Sequence, residues 1–309
     1  MPDKAKVSIL MNCYNGEKYL REAVDSVLAQ TYKHFELVFW DNCSSDSSAE
    51  IFNSYSDERL RYILAPEHTD LGGGRAKAWE YLNGEFVAVL DADDIWLPSK
   101  LERQLPYFSD PEVGIVISDT LFFNEVAERP LYAGKYPPEG WVFENLLKAY
   151  FVSLETLVIR RSAAQKLPRA FDADFSAIAD FDLVVRLSRI SKLAVVPEIL
   201  AKWRVHADSD TWRYPLSFVE EKDRWIAKQI SEDPVFYGNH ADAVETFRNK
   251  NIRTKVIHLL RHKHGLAALK ELLGGRFDHW HAWALLTLCL FPFAGSMLDR
   301  IVKRRTSLQ

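Results

Sequence analysis

Short apolar runs alternate with amphipathic segments along the first third of the chain. The apolar runs predict strands over 7–11, 35–40, 60–64, 86–90 and 113–118. Apolar residues at helical spacing predict a helix over 20–28, and further helices from 44–48 to about 55, over 75–82 and from Pro98 to 108. Strands separated by helices imply right-handed crossovers, and therefore an α/β fold with a mostly parallel central sheet flanked by helices.

This regular alternation ends near Asp119. Residues 119–138 are punctuated by proline and glycine, which predicts a hairpin or a flexible loop. A further apolar strand is predicted over 193–200, and the three glycines at 72–74 are interpreted as a flexible turn that precedes a helix.

The predicted strand 86–90 runs directly into Asp91, Asp93 and Asp94. Unpaired carboxylates are costly inside a sheet, so the strand must end there and the acidic side chains must project beyond its carboxyl end. Ligands bind at that edge of open α/β sheets, and clustered carboxylate oxygens suit Mg²⁺ or Mn²⁺. The alternative is a solvated turn ahead of a helix N-terminus, which also favours acidic residues.

Two more polar loops follow strands at the same predicted edge, over 12–16 and 41–46. Tyr14 would stack on a nucleotide base, and Asp41 and Asn42 would contact the edge of that base. Taken singly, Tyr14 is better explained by packing, and the Asp41–Asn42 pair by a turn or a helix cap. Arg75, just after the glycines, would face a phosphate. Their convergence at one edge favours a nucleotide diphosphate as the ligand.

Composition excludes several other classes of protein. The 309 residues are 48% hydrophobic and 27% charged, enough for one large domain with an appendage or for two domains. A net charge of −4 argues against nucleic acid as a partner. The three cysteines are widely spaced, which predicts reduced thiols and neither disulfides nor a zinc site. The chain lacks the GxGxxG, GxxxxGK[ST] and GxSxG patterns, and its first residues do not resemble a secretion signal.

Segments 7–32, 35–46 and 84–98 resemble the family 2 glycosyltransferases, which have the GT-A fold. The resemblance implies an inverting sugar transfer from a nucleotide-diphosphate donor with Mn²⁺ or Mg²⁺ as cofactor. It implies Asp93 as the metal ligand, with Asp91 on the ribose or on a metal-bound water. The family often has a second aspartate where this chain has Asn42. The amide oxygen of Asn42 can still accept a hydrogen bond from uracil, so a UDP-sugar stays the first choice, and a dTDP-sugar comes next because thymine presents the same edge. The predicted nucleotide-sugar contacts are Asn12, Tyr14, Asp41, Asn42, Arg75, Asp91, Ala92 and Arg204.

The second half of the chain also resembles this family. In segment 179–187 the resemblance implies Asp180 as the catalytic base and Asp182 as a supporting residue, while Ala179 replaces a usual glutamate. Asp180 is alternatively a carboxylate favoured by a helix N-terminus. In segment 203–206, Arg204 and His206 would face the diphosphate or its metal, with His206 as a third predicted metal ligand. Their alternative is ordinary surface charge.

These motifs predict a GT-A catalytic domain over 1–215, with a nucleotide-binding half (1–118) and an acceptor-side half (119–215). A helical region follows over 216–309. Its segment 282–305 is apolar and then basic, which predicts an interfacial membrane helix or, alternatively, a packed one. The predicted acceptor is a glycan or lipid-linked saccharide of bacterial surface polysaccharide assembly. We expect a cytoplasmic enzyme that contacts the membrane peripherally through this segment. The alternative is a nucleotide-sugar binding module with weak or no transferase activity.

Overall fold

The computed structural model describes residues 6–206, 209, 213–262 and 264–273. These residues form two compact units. The first comprises residues up to 143 together with 150–205, and the second comprises 144–149 and the residues from 206 onward.

A sheet of nine strands forms the first unit. The strands are β1 (Val7–Cys13), β2 (Phe35–Asp41), β3 (Leu60–Leu64), β4 (Phe86–Val89), β5 (Ile95–Trp96), β6 (Val113–Phe123), β7 (Glu128–Pro130), β8 (Val158–Arg160) and β9 (Lys192–Arg204). Their order is β3-β2-β1-β4-β8-β6-β9-β5, with β7 paired to β6. The α/β prediction is confirmed.

The parallel pairings are concentrated in the first half of the chain. Strands β1 to β4 are mutually parallel, and β6 pairs in parallel with β9. Strand β8 is antiparallel to both β4 and β6, which makes the whole sheet mixed. Because β1, β2 and β4 run in the same direction, their carboxyl ends meet at one edge.

The helices up to residue 188 are α1 (Leu20–Leu28), α2 (Ser48–Asn53), α3 (Leu71–Trp79), α4 (Lys100–Gln104), α5 (Phe143–Lys148), α6 (Arg161–Ala164) and α7 (Ala179–Ser188). The apolar stripe of α1 packs with β1, β2 and β4 into a continuous core that contains Val24, Val27, Ile9 and Phe39. Such non-directional burial of apolar surface stabilises the sheet that positions the site.

Several predicted elements differ from the structure, most clearly three of them. Gly72, Gly73 and Gly74 lie inside α3 rather than in a turn, because the Asp70 side chain caps the helix by accepting from the Gly73 amide at 2.7 Å. A Cβ on Gly72 would lie 2.0 Å from the backbone oxygen of Phe175, so glycine permits close packing here.

The other two differences concern element ends. Strand β6 continues to Phe123 and forms a hairpin with β7, so the hairpin alternative for this region is the observed one. The predicted helix over 98–108 is split into α4 and a 3₁₀ helix, Leu105–Ser109. Pro106 has no amide hydrogen to continue the α-helical bonding, which accounts for the change.

The second unit is helical in its described part. Its further helices are α8 (Pro215–Glu232), α9 (Phe236–Arg261) and α10 (Gly265–Leu273). Segment 144–149 belongs to it because Lys148 pairs with Asp242 at 2.6 Å and Glu144 with His240 at 2.9 Å. Within the described ranges, every helix is too short or too polar to cross a membrane. The predicted interfacial segment 282–305 lies outside the described residues.

Candidate active site

The acidic cluster lies just beyond the end of β4. Asp91, Asp93 and Asp94 each offer a carboxylate oxygen, and these oxygens lie within 4.8 Å of one another. Asp91 and Asp93 are half-buried and Asp94 is buried. Packed carboxylates repel one another unless positive charge is supplied, and hard oxygen donors match Mg²⁺ and Mn²⁺. The donor set therefore fits the divalent cation that the sequence predicted, with Asp94 as an additional candidate ligand.

Arg75 supplies part of that positive charge. It is buried within α3, and its Nη2 atom lies 2.6 Å from Asp91 Oδ1. Burial raises the pKa of Asp91, Arg75 opposes the rise, and the Asp93 carboxylate adds to it. Arg75 thus holds one carboxylate of the cluster in place. The predicted contact between Arg75 and a phosphate stays a prediction.

Arg204, near the end of β9, holds the backbone of the acidic loop. Its amide donates to Asp94 Oδ1 at 2.8 Å, and its Nε donates to the Asp93 carbonyl at 2.8 Å. Its Nη2 pairs with Glu22 at 2.8 Å, and the guanidinium lies over two aromatic rings. Arg204 therefore connects the last strand to the acidic loop. Its predicted contact with the diphosphate is not tested.

The loops after β1 and β2 are joined to each other by hydrogen bonds. The Ser45 amide donates to Asn15 Oδ1 at 2.8 Å, and the Gly16 amide donates to Ser48 Oγ at 2.9 Å. A Cβ on Gly16 would lie 3.3 Å from the Ala92 side chain, so the acidic loop passes close by. The structure thus brings all three predicted loops together.

Asp41 and Asn42 use their side chains to fix neighbouring segments. The carboxylate of Asp41 accepts from the Ser44 amide at 2.8 Å and from the Tyr62 hydroxyl at 2.6 Å. Asn42 donates to the Thr69 carbonyl at 2.7 Å and accepts from the Thr69 amide at 3.1 Å. Both side chains are almost fully buried. These bonds fix the shape of the loop that follows β2.

Tyr14 is exposed next to His68, with ring centroids 4.2 Å apart. Asn12 lies under α3, and its buried Oδ1 has no hydrogen-bond partner among the described residues. Such a buried acceptor is costly unless it is satisfied, which marks Asn12 as a candidate ligand contact. Burial raises the pKa of Cys13 to about 11, so this cysteine remains a neutral packing thiol.

Two aspartates on α7 have different surroundings. Asp180 is half-buried and its Oδ2 accepts from the Tyr150 hydroxyl at 2.8 Å, while its Oδ1 accepts no hydrogen bond from the described residues. Asp182 is buried and forms a double ion pair with Nε and Nη2 of Arg186. The same Nη2 also donates to the carbonyl of residue 170, and Nη1 donates to the carbonyl of residue 169. Asp182 therefore fixes the helix, and Asp180 keeps one oxygen for chemistry.

Sequence reasoning missed two residues of this site. Tyr150 has no motif around it, and only the fold brings it to Asp180. Asp94 was part of the acidic cluster but was not named as a ligand, although its position beside Asp93 was a usable signal. His206 belongs to the second unit, and its predicted role as a metal ligand stays a prediction.

Comparisons with known proteins identify the class of protein to which this fold and site belong. Residues 8–167 match the family model of glycosyl transferase family 2, so the chain belongs to that family. The chain is 30% identical over 213 residues to the uncharacterized glycosyltransferase MJ1057 of Methanocaldococcus jannaschii, which covers 66% of this chain and 72% of the relative.

Another relative has an activity in its name. The chain is 28% identical over 237 residues to the Escherichia coli protein WfgD, a UDP-Glc:alpha-D-GlcNAc-diphosphoundecaprenol beta-1,3-glucosyltransferase. The match covers 75% of this chain and 89% of that one.

Solved structures agree on the fold. TarS 1–349 from S. aureus, solved in complex with UDP, matches with a TM-score of 0.67 at 18% identity, covering 95% of this chain and 88% of TarS. The mannosyltransferase PcManGT from Pyrobaculum calidifontis, solved with GDP-Man and Mn²⁺, matches with a TM-score of 0.63 at 18% identity, covering 98% and 88%. The chain is a glycosyltransferase with the GT-A type fold.

Proposed function

We propose that this chain transfers a sugar, with inversion, from a UDP-sugar donor to a lipid-linked saccharide, and that it requires Mn²⁺ or Mg²⁺. The observation that carries the proposal is that the first unit contains both a crowded carboxylate cluster and a separate carboxylate with one oxygen unpartnered in the described part of the chain. Asp91, Asp93 and Asp94 crowd at the end of β4, and Asp180 on α7 retains an oxygen with no partner among the described residues.

The divalent cation would be held by Asp93 and Asp91, with Asp94 beside them. When bound, it would neutralise the charge that develops on the departing diphosphate. Arg75 and Arg204 keep these carboxylates and their loop in position.

In the proposed reaction, Asp180 accepts the proton of the acceptor hydroxyl. The freed oxygen attacks the anomeric carbon from the face opposite the diphosphate, and a new carbon–oxygen bond forms. The bond to the diphosphate oxygen breaks, and its electron pair leaves with the nucleotide. A single displacement inverts the anomeric configuration, and general-base catalysis of this kind contributes about 10²–10⁴ in rate.

The nucleoside would lie over the loops that follow β1 and β2. Tyr14 offers an exposed ring for the base, and Asn12 offers an unsatisfied acceptor. Asp41 and Asn42 would shape the pocket and contact the nucleoside. UDP is the first choice and dTDP the second, because thymine and uracil present the same hydrogen-bonding edge. WfgD supports both the UDP donor and a diphosphoundecaprenol-linked acceptor.

Replacement of the proposed base tests this function. In Asp180→Asn, the side chain keeps its shape but cannot accept a proton. We expect kcat to fall by about 10²–10⁴ while UDP affinity in Mn²⁺ changes little. Sugar transfer and donor hydrolysis are measured over a panel of UDP- and dTDP-sugars. Glu125→Gln, an exposed carboxylate at the β6–β7 hairpin, is the matched control.

Two results would contradict the proposal. Transfer near the parent rate in Asp180→Asn would remove Asp180 as the base. A parent protein that binds UDP-sugars but neither transfers nor hydrolyses them would favour a nucleotide-sugar binding module.

A further inference from the structure

The contacts of Asp180 point to a residue that acts through it. Asp180 lies in the first turn of α7, yet its hydrogen bond comes from the Tyr150 hydroxyl at 2.8 Å and not from a backbone amide of the helix. The helix N-cap residue, Ile178, has no side-chain capping bond. The Asp180 carboxylate therefore does not cap the helix, and the group that fixes it, the Tyr150 hydroxyl, lies 30 residues away in the sequence.

We infer that Tyr150 is a positioning residue for sugar transfer, which holds Asp180 Oδ2 so that Oδ1 is presented to the acceptor hydroxyl. This inference rests on the proposed function of Asp180. A carboxylate on a helix can rotate about its last side-chain torsion, and a donor on one oxygen selects one orientation. Productive geometry is demanding, since a misplacement of about 1 Å can cost about a hundredfold in rate.

The Tyr150 side chain contacts α7 through both its ring and its hydroxyl. Its ring lies edge-on to Phe181, with centroids 5.1 Å apart, next to Asp180 on α7. Burial and the Asp180 carboxylate raise the pKa of Tyr150 well above its ordinary value. The hydroxyl therefore keeps its proton, and it can act towards Asp180 only as a donor.

A second tyrosine fixes the backbone next to Tyr150. The Tyr132 hydroxyl donates to the Phe151 carbonyl at 2.8 Å, and the Tyr132 amide donates to Asp119 Oδ1 at 3.0 Å. Asp119 lies in β6, an interior strand of the sheet between β8 and β9. The chain of contacts from β6 through Tyr132 to Tyr150 thus connects the rigid sheet to the base on α7.

The experiment compares Tyr150→Phe with the parent enzyme. Phenylalanine keeps the ring contact and removes only the donor, so thermal unfolding is measured first to confirm a folded chain. We expect kcat to fall by about 10- to 100-fold, with the donor KM within about twofold of the parent, because the orientation matters for reaction and not for UDP binding. Replacing Tyr150 by 3-fluorotyrosine, which keeps the donor, should restore kcat to within about threefold.

A double variant separates positioning from general structural damage. In an Asp180→Asn background, Tyr150→Phe should lower the residual kcat by less than about twofold, because the group it positions no longer acts as a base. Tyr136→Phe is the matched control, since its hydroxyl donates to the Pro197 carbonyl, and it should leave kcat unchanged. If Tyr150→Phe does not fold, Tyr132→Phe decides, and we expect it to lower kcat at unchanged donor KM.

Several outcomes would overturn the inference while leaving the proposed function intact. One is that Tyr150→Phe has the kcat of the parent although Asp180→Asn, measured separately, is inactive. A second is a fall in kcat from Tyr150→Phe that is equally large in the parent and in the Asp180→Asn background. A third applies if Tyr150→Phe does not fold, and it is a Tyr132→Phe variant with the kcat of the parent. Failure of the proposed function gives a different pattern, in which Asp180→Asn itself transfers at the parent rate.

Discussion

The two sides of the sheet edge use their polar side chains in different ways. After β1 and β2, Asp41 and Asn42 are buried, and their side chains make two and three hydrogen bonds, respectively, that hold adjacent backbone or side chains. After β4, three carboxylates crowd within 4.8 Å, with the Arg75 side chain paired to Asp91. At Asp41 and Asn42 the first side is hydrogen-bonded within the protein, whereas the second side has negative charge that a bound cation would balance. Under the proposed function, shape recognition would belong to the first side and chemistry to the second.

Among the variants that test this comparison, Asp93→Asn should have the largest effect. The substitution removes one charge from the crowded side and weakens its hold on a cation. We expect UDP binding in Mn²⁺ to fall to the level measured with EDTA, while the melting temperature stays within about 2 °C of the parent because the side chain lies beyond the strand. Isothermal titration with UDP, with and without Mn²⁺, measures it.

The same titration on Glu125→Gln shows whether loss of any acidic side chain has this effect. If Asp93→Asn binds UDP in Mn²⁺ as tightly as the parent does, the acidic cluster is not the metal site.

Asn42→Asp tests the side that follows β1 and β2, and it should have an intermediate effect. A carboxylate cannot donate to the Thr69 carbonyl, so two oxygens would face each other without a proton between them. We expect UDP affinity to fall by about tenfold, because a buried hydrogen bond of the pocket wall is lost. Asn83→Asp, whose amide donates to the Tyr81 carbonyl at an exposed position, is the matched control.

A rise in UDP affinity in Asn42→Asp would give the opposite interpretation. It would mean that the bonds to Thr69 do not hold the pocket wall but are exchanged on binding, and that the proposed contact of this position with the nucleoside is stronger through a carboxylate than through an amide.

Much of this sheet edge could be predicted, because the spacing of apolar residues and the polar residues at strand ends are local features of the sequence. Strand β3 begins and ends where its apolar run does, and the carboxylates at 91–94 follow directly from the end of β4. Other features depend on tertiary contacts that a sequence does not display. Lys100 is wholly buried, with its Nζ 2.7 Å from Gln104 Oε1, although it lies in a helix where a charged residue is expected to face solvent. The glycines of α3 and the hydroxyl of Tyr150 likewise acquire their roles from partners far away in the chain.

Tyr62→Phe should have the smallest effect and gives the comparison its finest test. The Tyr62 hydroxyl donates to Asp41 Oδ2 at 2.6 Å, and Asp41 is almost fully buried. Removing the donor leaves that oxygen without a partner, so we expect the free energy of unfolding to fall by about 1–2 kcal/mol in urea titrations. UDP affinity should change by less than about threefold, because Asp41 keeps its bond from the Ser44 amide. Tyr81→Phe is the control, since that hydroxyl has no hydrogen bond to the described residues. A large loss of UDP affinity at unchanged stability would instead place Tyr62 in direct contact with the nucleotide, and its bond to Asp41 would no longer have a purely structural role.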